Sequence, residues 1–171
     1  MKIKRALISV YDKKNIKPLL KILNKYKVDL ISSGGTYKKI KKLGFKCQEV
    51  SDFTRSPEIL NGRVKTLHPK IYGGILSKRN SKSHKKDLKK NKFKEIDLVV
   101  VNFYPFEEVL NKSENHSKII ENIDIGGPSM ARAAAKNYKF VAVVTNPNQY
   151  SQLVEELKKN NGKTTLNFRK L

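Results

Sequence analysis

A length of 171 residues with 38% hydrophobic content fits one domain able to bury a real core, and Cys47, the only cysteine, excludes a disulfide framework or a thiolate metal cluster. The 37 basic residues against 15 acidic ones give a net charge of +22, which suits a polyanionic partner. The lysines, however, run evenly along the chain, arginine is scarce beside them, and no aromatic-basic alternation occurs, so compositional drift is favoured over a nucleic-acid surface.

In chain order, Met1-Lys2-Ile3-Lys4-Arg5 leads into Ala6–Val10, a short apolar run with β-branched members that reads as a buried strand. It stops at Tyr11-Asp12-Lys13-Lys14, too soon for a signal segment or a membrane span, and a soluble, cytoplasmic protein is expected. Ile16, Leu19, Leu20 and Leu23 are spaced for one helix face. Leu30-Ile31 reads as a second strand, followed by a turn at Ser32–Thr36 and a helix through Ile40 and Leu43 that ends at Gly44. Residues 45–50 form a weaker strand, and 51–80 are irregular, rich in Gly, Pro and charge. The lysine-rich 82–92 stretch is a surface helix. Residues 96–103 form the strongest strand, and Ile119-Ile120 mark a short helix. Gly126-Gly127-Pro128 opens a helix carrying Met130, Ala133 and Ala134. Residues 140–144 are another strand, Tyr150, Leu153, Val154 and Leu157 a further helix, and 166–171 the start of one more. That ending inside a helical pattern suggests a longer protein that continues. The alternation is that of a parallel α/β sheet.

Several segments carry chemistry. Arg63-Val64-Lys65-Thr66-Leu67-His68-Pro69 sets guanidinium, ammonium and hydroxyl side by side, three different ways to hold anionic oxygen. Ser33-Gly34-Gly35-Thr36 stands at a strand-to-helix turn, where glycines admit a close ligand and a helix N-terminus favours an anion; it lacks the spacing of a Walker loop. Asp12-Lys13 and Asn102-Phe103-Tyr104-Pro105 follow strands and fall at the same C-terminal sheet edge, where open α/β folds bind ligands. Asp124 precedes a helix that ends near Lys136. Taken singly, each segment also fits a purely structural role, as a tight turn, a solvated lysine, a core aromatic, a helix cap, or a cation at a helix C-terminus. His68, His84 and His116 are too dispersed for a ligand set.

Together and in this order, with Ile123-Asp124-Ile125-Gly126-Gly127 and Arg132–Asn137, the segments resemble the N-terminal domain of the bifunctional purine biosynthesis proteins, which combine IMP cyclohydrolase with AICAR transformylase. The resemblance covers residues 5–171. It implies a Rossmann-like three-layer α/β/α sandwich with a parallel sheet, of the methylglyoxal-synthase-like kind. It implies a small-molecule substrate, 5-formamidoimidazole-4-carboxamide ribotide, closed to IMP and water without metal or redox cofactor. It further implies a homodimer.

By the same resemblance, Lys13, Ser33, Gly35, Thr36 and Thr66 hold the 5′-phosphate, while Arg63, Asn102, Ile125 and Gly126 position base and carboxamide. Tyr11, Asp12, Gly34, Val64 and Val101 complete the binding set. Lys65 and Tyr104 stabilise charge on the formyl oxygen, and Asp124 and Lys136 form a proton-transfer pair. The chain departs from the family at Tyr11, where many relatives carry Ser, and at Tyr72, which replaces a common His. The transformylase half is absent and the cyclohydrolase domain is expected to be cut near its end, so folate-dependent formyl transfer is not expected. Two other readings stand beside this one: a methylglyoxal-synthase-like module that binds a phosphorylated effector without chemistry, and a basic nucleic-acid-binding protein.

Overall fold

Parallel strands need both faces covered, and the apolar runs of this chain supply that. The computed structural model describes residues Met1–Leu171. Its five strands are β1 (Arg5–Val10), β2 (Asp29–Ser32), β3 (Gln48–Glu49), β4 (Leu98–Asn102) and β5 (Ala142–Val144). They form one parallel sheet in the order β3-β2-β1-β4-β5. Side chains alternate across it. Ala6, Ile8 and Val10 of β1, with Leu98 and Val100 of β4, face a layer built on α1 (Ile16–Lys25), α2 (Gly34–Lys42) and α9 (Tyr150–Lys159). Leu7, Val99 and Val101 face the opposite layer, built on α3 (Val50–Thr54), α4 (Pro69–Leu76) and α8 (Gly126–Lys136). All five residues of β4 are buried, as expected of the strand with no polar residue before Asn102. The remaining helices are α5 (Lys82–Lys90), α6 (Phe106–Lys112), α7 (His116–Glu121) and α10 (Leu166–Lys170), none with a buried side chain. The fold is thus the expected three-layer α/β/α sandwich. No helix is long and apolar enough to cross a membrane.

Chain direction matters more than element count here. From β1 the chain moves outward to β2 and β3, then returns to place β4 on the other side of β1. The connections therefore diverge beyond the C-terminal ends of β1 and β4, where Val10 is in register with Asn102. Such a divergence leaves a crevice that open α/β sheets use for ligands.

Three elements differ from expectation. β3 is only two residues long, because only Gln48 and Glu49 find partners on β2, and Val50 already turns into α3. The 51–80 stretch contains a full helix, α4, disguised by Gly73-Gly74; a Cβ on Gly74 would lie 2.6 Å from the Lys94 carbonyl oxygen, so glycine lets this helix press onto the chain entering β4. α6, unanticipated, follows Pro105 with Glu107 and Glu108 in its first turn.

Tyr150, at the start of α9, is buried beneath the crevice with its hydroxyl 3.5 Å from Asn102 Nδ2. Burial pushes its phenol from 10.0 up to about 12, against the lowering effect of the Asn102 contact. The fold favours the neutral phenol, so this contribution is complete below pH 10 and disappears as pH rises through about 12. Urea midpoints are expected to fall more steeply between those pH values for the natural chain than for Tyr150→Phe; parallel slopes would remove Tyr150 as the cause.

Candidate functional site

The crevice is a cavity of about 650 Å³, walled by the segments after β1, β2 and β4, by residues 61–67, and by residues 120–130 leading into α8. One polar corner of it is the N-terminus of α2. The first N–H groups of any helix lack intrahelical acceptors. Ser33 occupies the N-cap in extended backbone (φ −135°, ψ 163°) but its hydroxyl does not cap the helix. Two ammonium groups flank this end. Lys65 Nζ lies 3.5 Å from where a Cβ on Gly34 would stand, and Lys13 Nζ lies 3.8 Å from the same point on Gly35. Lys13 is held there by donating to the Tyr11 carbonyl at 2.9 Å. Open N–H groups, a helix dipole and two lysines give this corner the chemistry that suits an anion.

Two side chains expected to bind ligand have their polar atoms committed to the protein backbone. Thr36 is 5% exposed; its hydroxyl donates to the Val10 carbonyl at 2.9 Å and accepts from the Val10 N–H at 3.1 Å. Asn102 accepts from the Asp12 N–H at 2.9 Å and donates to the Asp12 carbonyl at 2.8 Å. Both line the cavity, yet these bonds tie the end of β1 to α2 on one side and to β4 on the other.

The opposite wall carries the reactive candidates. Asp124 Oδ1 accepts from the Gly127 N–H at 2.9 Å, fixing the carboxylate at the entrance to α8. A Cβ on Gly127 would fall 2.5 Å from Asp124 Oδ2 and 3.0 Å from Phe103, so the carboxylate sits where only glycine leaves room. A Cβ on Gly126 would lie 2.9 Å from Thr66 Oγ1, which places the Thr66 hydroxyl against the same helix start. Tyr104 is half exposed, its ring centroid 5.2 Å from that of Tyr11 and tilted by 58°. Tyr72, the departure from the family pattern, bonds Ser129 Oγ at 2.5 Å, and Ser129 donates to the Gly126 carbonyl at 3.0 Å. Tyr72 thus braces α8 from behind, and burial raises its phenol pKa.

The cations of the 63–66 segment are paired. Arg63 bonds Glu121 across the cavity mouth, and that hydrogen-bonded carboxylate holds the guanidinium above its ordinary pKa. Lys65 Nζ lies 3.2 Å from Glu58 Oε1. Neither acidic partner was legible in the sequence, since each meets its cation only through the tertiary fold. Ser9, Ile120, Ile123 and Met130 also line the cavity unforeseen.

The structure does not bring every candidate to the cavity. Asp12 turns its carboxylate to the Lys14 N–H at 2.9 Å. Val64 spends its backbone on an antiparallel bridge to Ile59. Val101 is wholly buried in the core. Lys136 is exposed at the last turn of α8, about 15 Å along the axis from the helix start at 1.5 Å per residue. The expected pairing of Asp124 with Lys136 is therefore absent within one copy of the chain, because α8 separates them by its whole length. No group of three or more His, Cys, Asp or Glu side chains is placed to hold a metal ion.

A divergent parallel sheet with a crevice beyond its C-terminal edge defines an open α/β domain, and here a helix N-terminus and two lysines face that crevice. The sequence profile of MGS-like domains matches residues 15–129, and that of the AICARFT/IMPCHase bienzyme matches residues 134–171. The chain belongs to the MGS-like domain family. It is 52% identical over 161 residues to the bifunctional purine biosynthesis protein PurH of Prochlorococcus marinus subsp. pastoris, covering 94% of this chain and 31% of that protein. It is 47% identical over 169 residues to PurH of Rhizobium etli, covering 99% of this chain and 31% of that one. The chain thus spans about a third of the length of these curated relatives. The crystal structure of ForH superposes with a TM-score of 0.85 at 30% identity, covering 98% of this chain and 88% of ForH.

If the α2 corner is the anion site, Lys13→Ala is expected to weaken inorganic phosphate binding about tenfold, the scale of one charge-assisted hydrogen bond. Titration calorimetry at low ionic strength checks this, and unchanged affinity places the anion elsewhere.

Proposed function

We propose that this domain closes the ring of 5-formamidoimidazole-4-carboxamide ribotide to give IMP and water. The observation that carries the reading is the convergence on one cavity of an anion corner at α2 with Lys65, Tyr104 and Asp124. The similarity to PurH proteins supports the same reaction. The cavity volume of about 650 Å³ lies within the range usual for small-molecule sites.

In this reaction the carboxamide nitrogen forms a bond to the formyl carbon, giving a tetrahedral adduct. The formyl oxygen then leaves as water, with one proton from the carboxamide nitrogen and one from the formamide nitrogen. Nucleophile and electrophile stand on adjacent ring atoms, so the protein's main contribution is to fix the conformer in which they meet. The 5′-phosphate binds at the α2 N-terminus between Lys13 and Lys65, with the Ser33 hydroxyl beside it. Phosphate at one end and the α8 entrance at the other set the position of the ring. Asp124, held by the Gly127 N–H, accepts the carboxamide proton. Lys65 and Tyr104 stabilise the developing oxyanion and protonate the departing oxygen, and they recover one proton from Asp124 and one from the formamide nitrogen. Lys136 has no access to these atoms from its own chain, so any part it plays requires a second copy.

A cytoplasmic location and a homodimer belong to the same reading. The dimer is supported by an exposed apolar rim around the cavity mouth, where Leu60, Leu67, Ile120, Ile123 and Ile125 meet solvent. Sedimentation equilibrium is expected to return twice the chain mass of 19.6 kDa. A single-chain mass at micromolar concentration would rule the dimer out.

The direct test mixes the purified chain with the formylated ribotide and follows the ultraviolet change as the purine forms. Lys65→Met and Asp124→Asn are each expected to lower kcat by about 10²–10⁴-fold, while Lys136→Ala keeps IMP affinity within about twofold, as for an exposed charge far from the ligand. IMP binding by a folded chain that forms no purine would leave a phosphate-binding module without catalysis.

A further inference from the structure

Lys65 borders two cavities, the main one and a second of about 320 Å³ lined by Ser33, Ser51, Ser56, Glu49 and Glu58. A lysine with open volume on both sides has several rotamers to choose among, and ordering so flexible a side chain costs conformational entropy. Glu58 borders the second cavity but not the first. Its carboxylate therefore reaches Lys65 from behind, at 3.2 Å, without entering the space where a ligand would lie.

The backbone is shaped around this contact. Leu60, Asn61 and Gly62 all have positive φ, at 54°, 52° and 89°. The loop closes where Ile59 and Val64 exchange backbone hydrogen bonds of 3.2 and 3.4 Å. Left-handed backbone is unfavourable for Leu, whose Cβ crowds the following carbonyl oxygen. The turn it permits brings Glu58 and Lys65 together over Gly62. A Cβ on Gly62 would lie 2.5 Å from Glu58 Oε1 and 2.7 Å from Lys65 Cε. The ion pair thus lies directly on the backbone of residue 62. From there the ammonium projects to the first residue of α2, 3.5 Å from where a Cβ on Gly34 would stand.

We propose that Glu58 is a positioning residue that holds the Lys65 ammonium between the α2 N-terminus and the main cavity. Glu58 itself touches neither substrate nor reacting atoms. Its effect on turnover rests on the ring-closure reading, whereas its effect on the place of Lys65 does not.

The test uses Glu58→Gln, which keeps the shape and removes the charge, alone and combined with Lys65→Met. In the natural background Glu58→Gln is expected to lower kcat for ring closure by about 10–10²-fold, as for a catalytic group displaced by about an ångström, with KM changed less than about threefold. In the Lys65→Met background the same substitution is expected to change nothing further. An equal loss in both backgrounds would show that Glu58 acts through the fold, and the proposal falls. A crystal structure of Glu58→Gln gives a readout independent of activity: Lys65 Nζ is expected to leave its place beside Gly34, and an unmoved Nζ overturns the proposal. Should the natural chain close no ring, the ring-closure reading fails, and the place of Lys65 in that crystal structure still decides the role of Glu58.

Discussion

The end of β1 is gripped from both flanks, and the site depends on that grip. A strand that stops at a crevice leaves its last N–H and carbonyl groups without a neighbouring strand to bond. Here the Thr36 hydroxyl takes both groups of Val10, and the Asn102 amide takes both groups of Asp12. The first contact locks the start of α2 onto β1, and the second locks β1 to β4 beyond their last ladder bonds. These bonds fix where the α2 N–H groups, Lys13 and Tyr11 stand relative to the entrance of α8. A site assembled from loops gains its precision from such connections to a rigid sheet.

Charge in the cavity is arranged at two scales. The protein as a whole carries +22 and draws anions over long distances at low salt. Locally, Arg63 and Lys65 are each matched by a carboxylate, Glu121 and Glu58, whereas Lys13 is held by a neutral carbonyl. The cavity therefore holds one lysine already oriented and uncompensated, and a second whose charge is shared. Arg63 and Glu121 are both well exposed, so their pair is weak in water and readily exchanged for contacts to a ligand.

The sheet was legible because its signal is local. The apolar runs in Ala6–Val10 and Leu98–Val101 follow from burial alone. The Ser33–Thr36 turn was legible because glycine, hydroxyl and helix start coincide in four residues. α4 was hidden because Gly73-Gly74 speaks against a helix unless the chain at Lys94–Ile96 is known to press on it. Thr36 and Asn102 were placed at the right edge, but their bonds to the backbone were not legible, since a sequence shows that a side chain can hydrogen-bond but not which group receives the bond. Glu58 and Glu121 carried no signal, as their cations are joined to them by a left-handed turn and by a contact between distant segments. For Lys136 helical spacing was available, and an eleven-residue helix between it and Gly126 already implied their separation.

The grip on β1 also alters how substitutions at this site will register. A change at Thr36 or Asn102 leaves donors and acceptors unpaired at the end of a central strand, and the damage spreads through the sheet to every wall of the cavity at once. Such variants will lose affinity, turnover and cellular abundance together, imitating the loss of a ligand contact. Changes at Ser33 or Lys13, whose side chains take no part in the bonds at Val10 and Asp12, will spare abundance. Abundance measured beside activity therefore separates the scaffold of this pocket from its contact surface, although both are drawn from the same short motifs.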